Sequence, residues 1–541
     1  MSKIGFLIVI YGPPYENKEL SMKKLICLLL TLCVTVCALT ACGANFSGVK
    51  DFGGEVSSNG GFAVVKGDYV YFINGKGASG DDNTFGSVVK GALVRAKLSD
   101  VKNVGTATEC EVVVPKLFYT DYDFAKSGFF IFGDYVYYAT PSANKDKTGT
   151  VKNNFVEFTK TKLDGTGTSV IASYEGLSTP YTFVAKGNDV YLTVYISETD
   201  DDGNSTGYLV TYSENGKEIK KSQAVSAYIF SDDKEAAYAY YKKSGYNADL
   251  DKDEDFDEIY RYSLTGEDEV KVMSGAGMYT SETGIGTQGV TYNFIKLTKD
   301  TLYFSETFVD TSVSTITRYY GVKTADLTEN TAHDKPVLLN KGTSDAAGIF
   351  TEKSVYYAMD KIIYNDATYG LVVYDYNKQD DIKSFGIEQL IYSSDIMSYT
   401  YCFDDGEYMY YLGNTYYYRL SIADALNKTE NVHQITYTTT SGSSDFYRFE
   451  IIGDTMLILN SFDPFYDYVC AYDITKLDKL TVDGDKTKKE VIDEFCEEFA
   501  TADREHVLAR LNYRVAILSD ADKEALDAYM NGSYPENSAS K

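Results

Sequence analysis

The 541-residue chain has no tryptophan and only three histidines, His333, His433 and His506, which lie in different regions with no paired spacing. It has no His-Glu-x-x-His segment, so the local signature of zinc peptidases is missing, and no nucleophile elbow of the strand-to-helix kind is expected. Lack of tryptophan counts against quinone-dependent enzymes and carbohydrate-stacking platforms, although 50 tyrosines offer other aromatic faces. Cysteine is sparse: Cys27, Cys33 and Cys37 fall in an apolar N-terminal run, and Cys110, Cys402, Cys470 and Cys496 are scattered with no Cys-x-x-Cys spacing. A chain this long buries a core without disulfide staples, so these four read as buried free thiols. Positive charge is also short. Fifty-one lysines and arginines face 79 carboxylates, a net charge of −28, which argues against nucleic acid or an anionic lipid surface as partner. A carboxylate pair of the glycosidase kind stays open, because such pairs are defined in space rather than in sequence.

What the chain has in abundance is one phrase. Gly133-Asp134-Tyr135-Val136-Tyr137-Tyr138 returns as Gly67-Asp68-Tyr69-Val70-Tyr71-Phe72, Asn188-Asp189-Val190-Tyr191-Leu192 and Lys299-Asp300-Thr301-Leu302-Tyr303-Phe304. It returns again as Lys353-Ser354-Val355-Tyr356-Tyr357, Gly406-Glu407-Tyr408-Met409-Tyr410-Tyr411 and Gly453-Asp454-Thr455-Met456-Leu457-Ile458, with a degraded copy at Lys234 to Tyr240. Gly, Asn or Asp supplies a tight turn, and β-branched and aromatic residues continue as a short strand. Counting from the second apolar residue of each copy, Tyr71, Tyr137, Tyr191, Tyr238, Tyr303, Tyr356, Tyr410 and Leu457 follow at intervals of 66, 54, 47, 65, 53, 54 and 47 residues. A second strand trails the first, at Leu93–Leu98, Val156–Gly165, Ile259–Gly266 and Tyr417–Leu420, and its apolar–polar alternation predicts an outer, half-exposed strand. The first strand is apolar on both faces and must be covered on both.

A repeat of roughly 40–50 residues built of strands alone marks a β-propeller blade, and longer loops stretch it. The predicted fold is therefore all-β, a propeller over 61–479 with blades near 61–115, 118–175, 178–224, 225–276, 286–340, 345–387, 388–438 and 445–479. Eight blades are expected, or seven if the divergent fourth or last copy is not one. A sandwich with accidental similarity is the competing reading, and the even spacing weighs against it. The last segment has room for three strands, and Phe46 to Val56 is expected to close the ring by supplying its missing outer strand. After Asp485 the texture changes: Val491, Ile492, Phe495 and Phe499, then Val507, Leu511, Val515 and Leu518, recur at helical spacing. A helical appendage is expected over 480–531, packed on the propeller or serving as a partner-binding tail, with a disordered end at 532–541.

The N-terminus has its own grammar. Residues 1–21 read as an extension upstream of the true start: Lys18-Glu19 can be encoded by a ribosome-binding sequence ahead of Met22. Met22-Lys23-Lys24 followed by the apolar run Leu25–Leu39 and small residues makes an export signal over 22–41. The run is shorter than the ~20 residues that span a bilayer. Leu39-Thr40-Ala41-Cys42-Gly43 resembles the lipobox of bacterial lipoproteins, which implies cleavage before Cys42 and a diacylglyceryl group on its thiol. Two acyl chains anchor stably where one is marginal. Residues 42–60 then form a tether, and the chain from Cys42 onward has 47 cations and 77 carboxylates, a net charge of −30.

One segment suggests a metal. Asp249, Asp251, Asp253, Asp255 and Asp257 alternate through an acidic stretch, and such spacing can curl around Ca²⁺, which takes six to eight oxygens. Glu254 stands where an EF-hand needs Gly, and Tyr260 where it needs Glu, so a solvated acidic hairpin is the plainer reading. The stretch and Glu198-Thr199-Asp200-Asp201-Asp202-Gly203 both join the second and third strands of a blade, which puts them on one face. Gly284-Ile285-Gly286-Thr287-Gln288-Gly289 matches a dinucleotide fingerprint, but a strand pattern follows it instead of a helix, so an inter-blade loop is expected.

The turn with its Tyr-Tyr strand, followed by Thr161-Lys162-Leu163-Asp164-Gly165 or a Tyr-Arg strand, resembles a family of Gram-positive lipoproteins with a propeller domain of unknown function, itself likened to YWTD propellers. The resemblance covers about 61–479 and implies fold, not activity. It leads to a monomeric propeller held on the extracytoplasmic face of the bacterial cell membrane through Cys42, binding or scaffolding an envelope protein or glycan. The rivals are a carboxylate-based glycoside hydrolase or lyase, and a solute-binding component of an importer.

Overall fold

The structure, a computed structural model, describes residues 55–475 apart from a number of connecting segments, the longest of them 330–353 and 385–399. Within this span the strands form eight antiparallel sheets of three to five strands and one two-stranded ribbon. The sheets follow one another along the chain at 63–114, 129–175, 181–221, 227–274, 291–323, 354–384, 400–437 and 448–473, one in each of the eight expected segments. They are called first to eighth below. Each is an up-and-down meander, and the first strand in sequence forms one edge. In the third sheet burial falls from that edge: Tyr181–Lys186 opens it with four buried residues, whereas its last strand, Glu218–Lys221, has none.

Neighbouring sheets are joined face to face by shared apolar cores. Phe62, Tyr71, Phe72 and Val94 of the first sheet pack with Phe129, Ile131 and Tyr138 of the second, and the same cluster takes in Ile452 and Leu457 of the eighth. Tyr137 and Phe158 of the second sheet meet Phe183 and Leu192 of the third. The third meets the fourth through Leu209, Tyr241 and Tyr262, and the fourth meets the fifth through Tyr240, Ile259, Tyr292 and Phe304. Tyr303 and Tyr357 pack ring to ring at 4.8 Å between the fifth and sixth sheets, and Lys361 Nζ donates to the Leu426 carbonyl beside the seventh, 3.1 Å. The Phe62 amide donates to Glu450 Oε1 at 3.2 Å, tying the first sheet to the eighth. Sheets stacked face to face in sequence from the first to the seventh, with the eighth packed against the first, make a β-propeller.

The recurring phrase has a physical cause in the register. Its two tyrosines, at positions such as Tyr135 and Tyr137, lie on one face of the second strand, opposite Lys162 and Lys160 of the third. The cation then leans across the first ring: Arg95 lies 4.4 Å from the centre of Tyr69, Lys160 5.2 Å from Tyr135, Arg261 4.7 Å from Tyr238 and Arg419 4.8 Å from Tyr408. Each such contact stabilises the pair by about 0.5–2 kcal/mol according to its desolvation.

The register also corrects three sequence expectations. Tyr240, not Tyr238, corresponds to Tyr137, because Tyr240 pairs with Arg261 as Tyr137 pairs with Lys160. Ser354–Tyr357 is the opening strand of the sixth sheet, and the phrase itself is Lys361–Asp366, so Ile363 takes the place assigned to Tyr356. The trailing strands at Leu93–Lys97, Phe155–Lys162, Glu254–Ser263 and Tyr416–Ser421 are each followed by a further strand of their sheet and are largely buried, not outer strands. Polar residues there find interior partners: Thr161 Oγ1 lies 3.0 Å from the Tyr138 hydroxyl and 3.1 Å from Thr168 Oγ1, and Arg95 pairs with Glu111 at 2.6 Å.

Of the expected closing strand over 46–56, residues 46–54 lie outside the described residues, and Glu55 and Val56 pair with the second sheet, not the eighth. Val56 lies in the strand Glu55–Ser58, which pairs antiparallel with Phe129–Phe132 on the inner edge of the second sheet, with Glu55 opposite Phe132 and Ser58 opposite Phe129. That edge is the buried one, and an unpaired row of amides there would be costly. The eighth sheet shows three strands among the described residues. Residues 1–54, with the signal, Cys42 and most of the tether, and residues 476–541, with the predicted helices, lie outside the described residues. Cys110 is a buried free thiol, pushed well above its ordinary pKa by desolvation.

Candidate functional site

Among the described residues, three consecutive sheets carry hairpins taller than the rest. The strands Asp189–Thr199 and Ser205–Ser213 of the third sheet have 11 and 9 residues, Tyr238–Asn247 and Glu254–Ser263 of the fourth have 10 each, and Thr301–Thr311 and Ser314–Lys323 of the fifth have 11 and 10. The matching strands of the first sheet have 5 and 5. At about 3.3 Å per residue, five extra residues lift a hairpin by roughly 17 Å. All connections between second and third strands leave one face of an up-and-down array, so the tall hairpins form a crest on that face.

Local chemistry keeps the crest paired beyond the core. Thr193 and Thr211 share a hydroxyl bond at 2.8 Å, and Thr199 and Ser205 one at 2.9 Å. The Tyr195 ring covers Gly207, where a Cβ would lie 2.3 Å from its hydroxyl, and the Phe256 ring covers Gly245 in the same way. An aromatic laid across a strand glycine restores the packing the glycine lacks. The tip of the third-sheet hairpin is closed by Asp200, whose carboxylate accepts from the Asn204 amide at 2.8 Å and the Asp202 amide at 3.0 Å. The Asn204 bonds hold the Asp200 carboxyl below the usual carboxylate range. Gly203-Asn204-Ser205-Thr206-Gly207 spells the nucleophile-elbow pattern, but it opens a hairpin strand, so the elbow's strand-to-helix context is missing.

The acidic stretch behind the calcium expectation is placed in two parts. Asp249, Asp251 and Asp253 lie outside the described residues. Asp255 and Asp257 belong to the strand Glu254–Ser263, where Asp255 is exposed and Asp257 is 2% exposed. Asp257 accepts from Ser244 Oγ at 2.7 Å, the Tyr292 amide at 2.8 Å and Lys242 Nζ at 3.0 Å, and Lys242 Nζ also donates to the Tyr292 carbonyl at 2.7 Å. Both oxygens of Asp257 are thus engaged in the seam between the fourth and fifth sheets. It is a structural carboxylate, withdrawn from any ligand set at the tip. Among the described residues no group of three His, Cys, Asp or Glu side chains is placed to hold a metal.

Two further acids flank it. Partial burial disfavours the charged form of Glu258, but the bonds from Lys271 Nζ and the Tyr260 hydroxyl, both 2.9 Å, outweigh it and hold the carboxyl low. Glu306, 5% exposed, accepts from the Tyr320 hydroxyl at 3.4 Å. The sequence signal for the Asp257 pair was available: aligned in register, Tyr135-Val136-Tyr137-Tyr138-Ala139 becomes Tyr238-Ala239-Tyr240-Tyr241-Lys242, a cation intruding on an apolar phrase.

Gly289, the last glycine of the dinucleotide-like motif, sits against the same seam. Thr287–Gln288 pairs with Tyr279–Thr280 in the small ribbon, and the strand Thr291–Leu297 follows, as an inter-blade connection requires. A Cβ on Gly289 would lie 2.5 Å from the Asp255 carbonyl oxygen. Gly289→Ala is therefore expected to destabilise the fold by about 1–3 kcal/mol through backbone displacement, read as a lowered midpoint in thermal unfolding. An unchanged midpoint would show that the connection shifts freely.

No family model matches the sequence, and no curated protein matches it significantly. Solved structures similar to this chain include the β-propeller domain of the Trilobed protease from Pyrococcus furiosus, described as having an open velcro topology, at 12% identity and a TM-score of 0.33, covering 71% of this chain and 98% of that one. The acylaminoacyl peptidase of Pyrococcus horikoshii is similar at 11% identity over 75% of this chain and 60% of that one, TM-score 0.28. Apo AztD from Citrobacter koseri is similar at 12% identity over 75% and 92%, TM-score 0.28. The propeller assignment rests on the sheets and seams described above, and these likenesses extend to the fold alone.

Proposed function

We propose that this chain is a membrane-anchored, extracytoplasmic propeller lipoprotein, tethered through Cys42, that binds or scaffolds a protein or glycan of the cell envelope. The crest of three tall hairpins carries the reading. Height beyond the shared core adds exposed strand without adding core, which is the pattern of a surface extended for contact. Its charge favours one kind of partner: Asp201 and Asp202 are exposed at the third-sheet tip, so a basic surface complements it.

The test is capture from an envelope extract by residues 42–541 carrying Cys42→Ala, beside the same chain with Asp201→Asn and Asp202→Asn. Asp200 is left intact because it closes its own turn. The expected outcome is a bound species that the neutralised chain retains several-fold less, with an affinity that falls as salt rises. Equal capture by both chains at every salt concentration would take the crest out of the contact.

A further inference from the structure

We infer that the face bearing the Gly-Asp turns lies against the bilayer and that the crest points away from it. The inference rests on anchoring at Cys42 and deepens it. The strand Glu55–Ser58 runs antiparallel to Phe129–Phe132, and its first residue pairs with Phe132, next to the Gly133 turn. The chain therefore enters the second sheet from the turn face and reaches the hairpin face only at Ser58. Cys42 precedes Glu55 by thirteen residues, a reach of at most ~45 Å for a fully extended chain. The hairpin strand Asp189–Thr199 alone is 11 residues long, or roughly 36 Å. To bring the crest to the membrane, a tether leaving the turn face would have to run back along that height, which takes up most of its extended length.

Electrostatics favours the same orientation. A net charge of −30 repels an anionic bilayer, and acyl chains must supply the hold. The acidic third-sheet tip, some 36 Å from the surface, lies beyond several Debye lengths, which are about 8 Å each at physiological salt. Tips facing the lipid would be repelled at close range. The turn face presents mixed charge, with Lys186 beside Asp189 and Lys323 paired to Asp300 at 2.6 Å.

Two labels on one strand test this. The lipidated full chain, carrying a fluorescent donor at Asp189→Cys or Asp201→Cys, is reconstituted into vesicles of phosphatidylglycerol and phosphatidylethanolamine that contain an acceptor lipid. Signals are corrected with the unsubstituted chain. The donor at position 189 is expected to transfer more efficiently than the donor at 201, by roughly twofold or more given their ~36 Å separation along the strand. Equal transfer, or the reverse order, with the protein still floating with the vesicles overturns the orientation alone. Loss of flotation that matches the Cys42→Ala control overturns the anchoring and the orientation with it.

Discussion

Just above pH 10 the protein is expected to lose its sheets and release its phenols in a single cooperative step. Tyr71, Tyr137, Tyr138, Tyr240, Tyr241, Tyr262 and Tyr292 are each at most 1% exposed, and desolvation raises the pKa of every one. Below pH 10 the folded and unfolded chains both hold these protons, so they leave stability unchanged. Above it the unfolded chain gives up protons that the folded chain keeps, and stability falls with rising pH until the folded values are reached. Each buried phenol contributes about 1.4 kcal/mol per pH unit, so seven together remove roughly 10 kcal/mol per unit. That is the size of a whole domain's stability, about 5–15 kcal/mol. Tyr320, which burial pushes up to about 12, still holds its proton at the collapse and is released by it. With no tryptophan in the chain, tyrosinate absorbance reads the event cleanly beside circular dichroism. Gradual ionisation over several pH units with the strand signal intact would mean that these hydroxyls meet water in the native state.

The other large effect is at Asp257. Asp257→Ala leaves Lys242, whose side chain is 16% exposed, without its carboxylate in the fourth–fifth seam. Breaking a buried pair by removing one partner costs about 3–5 kcal/mol, because the remaining charge is uncompensated. The urea midpoint should fall accordingly, and Asp257→Ala combined with Lys242→Met should recover most of the loss. Asp257→Asn should cost less than Asp257→Ala, since an amide oxygen still accepts from the Tyr292 amide. A loss below about 1 kcal/mol for Asp257→Ala would mean that Lys242 swings out to solvent and that the pair contributes as little as an exposed one.

The fold was legible because the phrase carries its burial with it: Val70, Tyr71, Phe72 and Ile73 are apolar on both faces and are buried on both. The same apolarity hid the register. Val355-Tyr356-Tyr357 reads like a second strand, and only its pairing with Ile362 and Ile363 shows it to be a first. Third strands looked half-exposed because alternation was read as solvent on one side. The polar side is instead another interior, where Thr, Lys and Arg meet hydroxyls, carboxylates and rings of neighbouring strands. Asp257 shows the same effect: the spacing of acidic residues suggests converging ligands, whereas the strand that begins at Glu254 carries this one into a seam. Local spacing carries no mark of where the loop ends and the strand begins. The partner of Val56 was invisible for a simpler reason. A four-residue strand has no pattern of its own, and its place is decided by which inner edge is open.

The three tall hairpins bear on stoichiometry. A ring of near-equivalent units has no preferred azimuth, and a ligand that read only the shared phrase would find a berth on every unit. Three neighbours that stand above the rest break that degeneracy. The molecule acquires a front and a back, and whatever meets the high side meets it once per chain.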